Sequence, residues 1–176
     1  MFEFLDSPEF INAVDSKQAT LFINPGLPEV KWQDVLQFVN DYEVKRTGKN
    51  LLPSPFAFFH DEAQIIVSVN SFVKEVHARY FPCFKDPKVV TCQLFGSTKL
   101  EEGQVIHRHE DRENNLFWQG DGRSRWRLYD SEINEQPFMD VILEKGDLLF
   151  VPGGTYHYVE PLTPRFGFAI LFGDKK

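Results

Sequence analysis

One short segment of this sequence alternates histidines and acidic residues. It reads His107-Arg108-His109-Glu110-Asp111-Arg112-Glu113. Alternate side chains of a β-strand share one face, so the two histidines, Asp111 and Glu113 would point the same way in a regular strand. Two imidazoles and two carboxylates on one face are costly to bury without a cation or hydrogen-bonding partners. The spacing therefore predicts a metal site.

A further histidine follows a glycine-rich turn well downstream. It closes the run Pro152-Gly153-Gly154-Thr155-Tyr156-His157. Two histidines and one carboxylate that leave coordination positions open form the facial triad of non-haem Fe(II) sites. The same ligand types also accept Mn, Ni and Zn, so the residues alone leave the identity of the metal open.

The segments that must position these residues have the character of β-strands. About eight β-rich runs are separated by turn sequences: Val89–Phe95, Gln104–His109, Asn115–Gln119, Arg125–Tyr129, Met139–Leu143, Leu148–Val151, His157–Val159 and Arg165–Phe172. Short strands separated by turn sequences in this way predict a β-sandwich or a small β-barrel. Aromatic residues within them, including Phe117, Trp118, Trp126 and Tyr129, could line or support a pocket.

The first half of the chain is predicted to be mostly helical. Apolar residues recur at helical spacing from Lys31 to Tyr42, and a second helix is predicted from about Asp61 to Arg79. We expect one domain, with a helical layer over residues 1–85 and a β-barrel core over residues 86–174. The predicted fold class is therefore mainly β with N-terminal helices, of α+β type.

Composition limits the function classes. The chain has 176 residues, which suits one domain, and its 19 basic and 26 acidic residues give a net charge of −7. This acidic balance argues against nucleic acid as a partner. The apolar runs are too short to span a membrane, and the N-terminus lacks the pattern of a secretory signal. Two cysteines cannot form a disulfide framework, so we expect a cytoplasmic protein.

The run that ends in His157 also carries a family resemblance. It reads Gly146-Asp147-Leu148-Leu149-Phe150-Val151-Pro152-Gly153-Gly154-Thr155-Tyr156-His157. It matches the second motif of the cupin superfamily, whose fold is the double-stranded β-helix, a jelly-roll barrel. Over roughly residues 89 to 172 the chain resembles more closely the JmjC-like branch of Fe(II)- and 2-oxoglutarate-dependent oxygenases. Further matches to that branch are Asn115, Gln119, Gly122, Arg123, Arg127, Leu128 and Tyr129.

The first motif can be aligned in two registers. In the JmjC register, the resemblance implies that His109, Asp111 and His157 hold the metal. In the general cupin register, the implied ligands are His107, His109, Glu113 and His157. The downstream matches favour the JmjC register, in which Asn115 lies at a position near the cosubstrate.

Ser124 departs from the family pattern. The resemblance implies a Lys or Arg at this position, where it pairs with the distal carboxylate of 2-oxoglutarate. Ser124 offers a hydroxyl but no charge, and strand alternation turns Arg123 and Arg125 toward the opposite face. The cosubstrate pocket is therefore rebuilt with another basic group, binds a different acid, or is lost.

The resemblance implies an oxygenase that uses Fe(II) and 2-oxoglutarate to hydroxylate a peptide or a small molecule. The serine at position 124 keeps two alternatives open. One is a cupin metalloenzyme that does not use 2-oxoglutarate, such as a dioxygenase, isomerase or lyase. The other is a non-enzymatic cupin that binds a metal or ligand. Cupin-like sheets often pair through their edges, so a homodimer is a further expectation.

Overall fold

The computed structural model describes residues 2–47, 57–60, 63, 66–82, 92–97 and 107–175. Its helices are a 3-10 helix over Glu3–Asp6 and three α-helices: α1 Pro8–Asp15, α2 Trp32–Thr47 and α3 Val67–Arg79. Its strands are β1 Thr20–Phe22, β2 Ala57–His60, β3 Tyr80–Pro82, β4 Cys92–Ser97, β5 His109–Glu110, β6 Asn114–Asp121, β7 Ser124–Tyr129, β8 Met139–Leu143, β9 Leu148–Val151, β10 Tyr156–Pro161 and β11 Arg165–Lys175.

Two antiparallel sheets form the body of the molecule. The larger sheet has the order β1-β9-β6-β11-β4-β2, with β3 also paired to β11, and the smaller has the order β5-β10-β7-β8. Neighbouring strands within both sheets are mostly distant in sequence, as in a jelly roll. This arrangement confirms the predicted fold class, a mainly β domain of the double-stranded β-helix type with helices near the N-terminus.

Strand alternation divides the apolar side chains into two clusters. In β6 and β11, Trp118 and Phe168 face the helices, whereas Phe117 and Ala169 join the cluster between the sheets. The ring of Trp118 meets Phe72 of α3 edge-on at a centroid distance of 5.9 Å. The suggestion that Trp118 could line the pocket is therefore wrong, because it points to the other face of its strand.

The observed helices and the predicted helices overlap. Helix α2 begins one residue after the predicted start at Lys31 and continues five residues past the predicted end at Tyr42, and Leu36 on its predicted apolar stripe is exposed. Helix α3 begins at Val67, later than predicted, and buries Phe72 and Val76 against the larger sheet. The first half also contributes strands β1, β2 and β3, which the helical prediction missed. These strands have three or four residues each, so their pairing partners rather than their own sequence pattern define them.

Seven of the eight strands predicted for the second half are present with shifts of a few residues at their ends. The eighth, predicted over Gln104–His109, shares only His109 with β5, and residues 107 and 108 are not in a strand. Two of the predicted strands fall partly on residues that the structure does not describe, namely 89–91 and 104–106. Within the described ranges, no helix is long and apolar enough to cross a membrane.

Candidate metal centre

Strands β5 and β10 bring two histidines to the same place. His109 and His157 are paired across the ladder, and their ring centroids lie 4.3 Å apart. Asp111 follows directly after β5. One ligand atom from each of these three residues lies within 4.8 Å of the other two. The three side chains could therefore hold one metal ion.

Backbone carbonyl groups orient both imidazole rings. Nδ1 of His109 lies 2.8 Å from the carbonyl oxygen of His107, and Nδ1 of His157 lies 3.0 Å from that of Thr155. A ring nitrogen facing a carbonyl oxygen carries the proton, so Nε2 keeps its lone pair in the neutral ring. Both Nε2 atoms face the carboxylate of Asp111, at 3.9 Å from His109 and 3.8 Å from His157. These distances exceed that of a hydrogen bond.

The two sides of the centre differ in exposure. The side chain of His157 is 4% exposed, whereas those of His109 and Asp111 are 34% and 32% exposed. Burial lowers the pKa of His157 below its ordinary value. This favours the neutral ring, which is the form that binds a metal. Solvent reaches the centre from the side of His109 and Asp111.

The turn before β10 fixes the distance between His157 and Asp111. A Cβ at Gly153 would lie 2.4 Å from the carbonyl oxygen of Arg112, so only glycine fits there. Gly154 has a φ of +80°, and its N–H donates to the carbonyl oxygen of Asp111 at 2.7 Å. The turn is thereby bound directly to the segment that carries the carboxylate.

The ligands of the alternative register do not join this group. Among the described acidic, histidine and cysteine side chains, the cluster contains His109, Asp111 and His157, without His107 or Glu113. Strand β5 ends at Glu110, and the chain bends at Arg112 and Glu113. Alternation therefore does not extend to Glu113, and the regular strand that would place all four side chains on one face is not present.

The space between the sheets continues from the centre into an aromatic interior. The indole of Trp126 stacks on the ring of His157 at 5.6 Å, and Phe117 lies 4.6 Å from Trp126. Asn115 lies on the same face of β6 as Phe117 and is 4% exposed. Its Oδ1 atom is buried and has no hydrogen-bond partner among the described residues. Asn115 thus has a polar atom available for a ligand.

Ser124 is fully buried on the same interior face of β7 as Trp126. Its hydroxyl donates to Oε1 of Gln119 at 2.6 Å and accepts from Nε1 of Trp126 at 3.2 Å. A serine has a single hydroxyl hydrogen, which Gln119 already receives. Ser124 has no donor left for a carboxylate, which argues against the predicted cosubstrate contact from this residue.

The arginines around Ser124 lie on the outside of the smaller sheet. Arg125 forms a bidentate pair with Asp140 at 2.7 and 2.6 Å, and Arg123 pairs with Glu144 at 2.8 Å. Arg127 likewise pairs with Glu160, at 2.9 Å. Strand alternation predicted that Arg123 and Arg125 face away from Ser124, and these pairs agree with it. The carboxylates neutralise this basic segment.

One buried charged residue was missed by the sequence reasoning. Arg165, the first residue of β11, is 6% exposed, and its Nε and Nη1 atoms lack hydrogen-bond partners within the described part of the chain. The sequence holds a signal for it, since Arg165 alternates with Gly167 and Ala169 on a predicted core strand. Small residues at those positions leave room for a long side chain on the same face.

Comparison with known proteins identifies the family and supports the fold. The family model described as a JmjC domain matches residues 84–175, slightly more than half of the chain. The X-ray structure of YcfD from Escherichia coli matches with a TM-score of 0.66 and 15% identity, covering 94% of this chain and 53% of that chain. This match supports the fold.

Two further similarities cover less of the chain. YcfD, described as a ribosomal oxygenase in complex with cobalt and 2-oxoglutarate, matches with 26% identity and a TM-score of 0.41 over 46% of this chain. A cupin superfamily protein from Desulfitobacterium hafniense matches with 18% identity and a TM-score of 0.38, covering 47% of this chain and 66% of that chain. The present chain spans 22% of the YcfD chain in the first of these matches. A search of curated proteins found no match.

Proposed function

The chain belongs to the JmjC domain family, and from this membership we propose that it is an Fe(II)- and 2-oxoglutarate-dependent oxygenase. The observation that carries the proposal is the convergence of His109, Asp111 and His157 within 4.8 Å. Two imidazoles and one carboxylate are the ligand set of non-haem Fe(II) oxygenases. The metal and 2-oxoglutarate, when bound, supply the activation of O₂, by which one oxygen atom enters succinate and the other enters the substrate.

The chain's own residues hold and orient the reactants. The imidazoles of His109 and His157 would each bind the metal through the lone pair of Nε2. Their Nδ1–H groups would remain hydrogen-bonded to backbone carbonyl oxygens. Asp111 would give a carboxylate oxygen and offset part of the metal charge. The donor types therefore fit Fe(II), and the carbonyl contacts hold both rings in the orientation that binding needs.

The interior beside the centre is suited to excluding water. The residues that share this apolar cluster are Phe117, Trp126, Leu128, Leu143, Leu149, Val151, Val159 and Ala169. A water-excluded site strengthens electrostatic contacts and protects reactive species from side reactions. The buried amide of Asn115 would offer a polar contact to the cosubstrate in this interior.

The charge distribution supports a peptide or a small molecule as the substrate. The arginines of β7 already pair with Asp140 and Glu160, and the net charge is −7, so a polyanion would find little positive surface here. A cytoplasmic location is proposed because a reducing compartment keeps iron as Fe(II). The free thiol of Cys92 is also typical of such a compartment. The homodimer stays a prediction.

An anaerobic titration tests the proposal. Purified protein is titrated with Fe(II), first alone and then with 2-oxoglutarate, while the visible spectrum is recorded. We expect a metal-to-ligand charge-transfer band that requires both reagents and disappears in Asp111→Ala. Exposure to O₂ should then yield succinate. Metal binding without the band would favour a cupin metalloenzyme that does not use 2-oxoglutarate, and failure to bind metal would favour a non-enzymatic role.

A further inference from the structure

The guanidinium group of Arg165 is buried in the interior of the domain, and no described residue gives it an anionic partner. Arg165 is the single Lys or Arg among the buried residues of the described chain. Its Nε and Nη1 atoms have no hydrogen-bond partner within the described ranges. Burial lowers its pKa to about 10, which leaves the group charged at neutral pH. Buried charges in proteins are normally paired, so this one needs an explanation.

Strand β11 directs Arg165 toward the same interior as the candidate metal centre. Phe166 and Phe168 of β11 face the helices, so the alternate residues Arg165 and Ala169 face the smaller sheet. The Cζ atom of Arg165 lies 5.9 Å from the ring centroid of Phe117. That ring contacts Trp126, which stacks on His157. Arg165 and His157 therefore both contact the aromatic cluster between the sheets.

Close backbone contacts hold the beginning of β11 in place. A Cβ at Gly122, which has a φ of +69°, would lie 2.0 Å from the carbonyl oxygen of Pro164 and 2.9 Å from the Cα of Arg165. A Cβ at Gly167 would lie 2.5 Å from the ring of Phe117. The glycines thus allow the strand to approach its neighbours closely. The position of Arg165 is fixed by the packing of the barrel.

No acidic side chain of the described chain forms an ion pair with Arg165. Asp147 is the one buried carboxylate among the described residues, and it accepts hydrogen bonds from the backbone N–H groups of Asn24 and Glu144. Ser124, at the position where the family has a basic residue, has its hydroxyl hydrogen bound to Gln119. The interior therefore has a cation on β11 and an uncharged, occupied side chain on β7.

We propose that Arg165 binds the distal carboxylate of 2-oxoglutarate and so supplies the positive charge that Ser124 lacks. This inference rests on the proposed function. The pocket for the cosubstrate is rebuilt with its cation on the larger sheet instead of the smaller one. A guanidinium can form two parallel hydrogen bonds to a carboxylate, which suits recognition of a dicarboxylate.

Binding of two keto acids to the metal-loaded protein tests the assignment. In 2-oxopentanoate a methyl group replaces the distal carboxylate of 2-oxoglutarate, so the two ligands differ at the atoms that Arg165 would contact. Calorimetry on the Co(II)-loaded protein measures both affinities. We expect Arg165→Met to weaken 2-oxoglutarate binding by roughly 10- to 100-fold, the scale of a charge-assisted hydrogen bond, and to leave 2-oxopentanoate binding nearly unchanged.

Two matched variants complete the test. Arg125→Met removes an arginine from the outer face of β7 and should leave both affinities unchanged. Arg165→Lys keeps the charge and should retain more 2-oxoglutarate binding than Arg165→Met. If Arg165→Met binds 2-oxoglutarate as tightly as the unmodified protein, the assignment is overturned while the proposed function stands. If the unmodified protein holds Co(II) but binds neither keto acid, the proposed function fails as well.

Thermal unfolding separates this role from a structural one. An unpaired buried charge destabilises the fold, so metal-free Arg165→Met should unfold at a higher temperature than the unmodified protein. A residue kept for packing would give the opposite result, and that would overturn the assignment. If Arg165→Met does not fold, the affinities of the unmodified protein for the two keto acids still test the assignment. Equal affinity for the two keto acids there would exclude any cation at the distal carboxylate.

Discussion

Nε2 of His157 and Oδ2 of Asp111 lie 3.8 Å apart, facing each other without a hydrogen bond. His109 faces the same carboxylate from the other side at 3.9 Å. The Nδ1–H groups of both rings donate hydrogen bonds to backbone carbonyl oxygens. The Nε2 lone pairs of the two rings and the carboxylate oxygens of Asp111 are therefore left facing one another. No hydrogen bond joins the three groups directly, so one cation between them could bind all three.

The first prediction concerns the carboxylate. Asp111→Ala should lower the affinity for Co(II) or Fe(II) by more than the roughly 10- to 100-fold that outer contacts of a metal site contribute. Equilibrium dialysis with metal analysis measures the loss. The residues of the alternative register provide the controls, since His107→Ala and Glu113→Ala should bind metal normally. A comparable loss in Glu113→Ala would contradict the assignment of ligands.

The second prediction concerns the turn before β10. Gly153→Ala should destabilise the protein and weaken metal binding, because the new Cβ would collide with the backbone of Arg112. Gly26 offers a matched control, since it has a φ of +85° and open space around it. Gly26→Ala should cost about 1–2 kcal/mol of stability from its backbone conformation alone and leave metal affinity unchanged. Denaturant unfolding and metal titration measure the two effects. Normal metal affinity in a folded Gly153→Ala would show that the turn does not position His157.

The third prediction concerns Ser124. Ser124→Ala leaves Oε1 of Gln119 and Nε1 of Trp126 without their partner, so it should lower the free energy of unfolding by about 1–3 kcal/mol. The affinity for 2-oxoglutarate should stay unchanged, because the serine hydroxyl serves the interior network. A selective loss of 2-oxoglutarate binding with normal stability would instead place Ser124 at the cosubstrate. Calorimetry and urea unfolding on the same sample distinguish these results.

The fourth prediction concerns pH. The hydrogen bonds from Arg125 lower the pKa of Asp140 below its usual range, with a smaller contribution from the charge of Arg127. The folded pKa is depressed, so the pair stabilises the fold above the unfolded pKa of about 4 and loses this effect as pH falls through the folded pKa. Arg125→Met should raise the pKa of Asp140. The stability difference between variant and unmodified protein should shrink in acid.

NMR titration of the Asp140 carboxyl carbon measures that pKa directly. The change in stability should be small, because the side chains of Arg125 and Asp140 are 40% and 34% exposed and water screens the pair. If the pKa of Asp140 is unchanged in Arg125→Met, then Arg127, whose Nε atom lies 3.8 Å from the carboxylate, is sufficient to lower it.

Local patterns were sufficient to predict most of the barrel strands and to mark His107, His109, Asp111, Glu113 and His157 as candidate ligands. The choice of His109, Asp111 and His157 among them came from the family resemblance. Alternation of residue types and the Pro-Gly-Gly turn are local patterns, so they can be identified without a structure. The same alternation failed at Glu113, because the strand ends at Glu110 and the chain turns back to meet Gly153. Where a strand ends depends on its partner β10, which is distant in sequence.

Arg165 shows the other limit of sequence reasoning. It begins a strand that was predicted from its first residue, and the small alternate residues Gly167 and Ala169 were a signal for an inward-facing side chain. The signal is weak, because arginines at strand ends usually reach solvent. The burial of Arg165 follows from the way β4 and β6 flank β11 and from the close approach of Gly122. Strands β1, β2 and β3 were not predicted for a similar reason, because each is defined by pairing with a strand that is distant in sequence.

The stacking of Trp126 on His157 gives the protein an optical reporter of its own site. A paramagnetic ion at Nε2 of that ring would quench indole fluorescence strongly at this separation. Trp32 and Trp118 pack in the cluster on the helical side and would contribute a steadier background. Ligand binding at the centre can therefore be followed by emission from the unmodified chain, with Trp126→Phe as the variant in which the signal disappears.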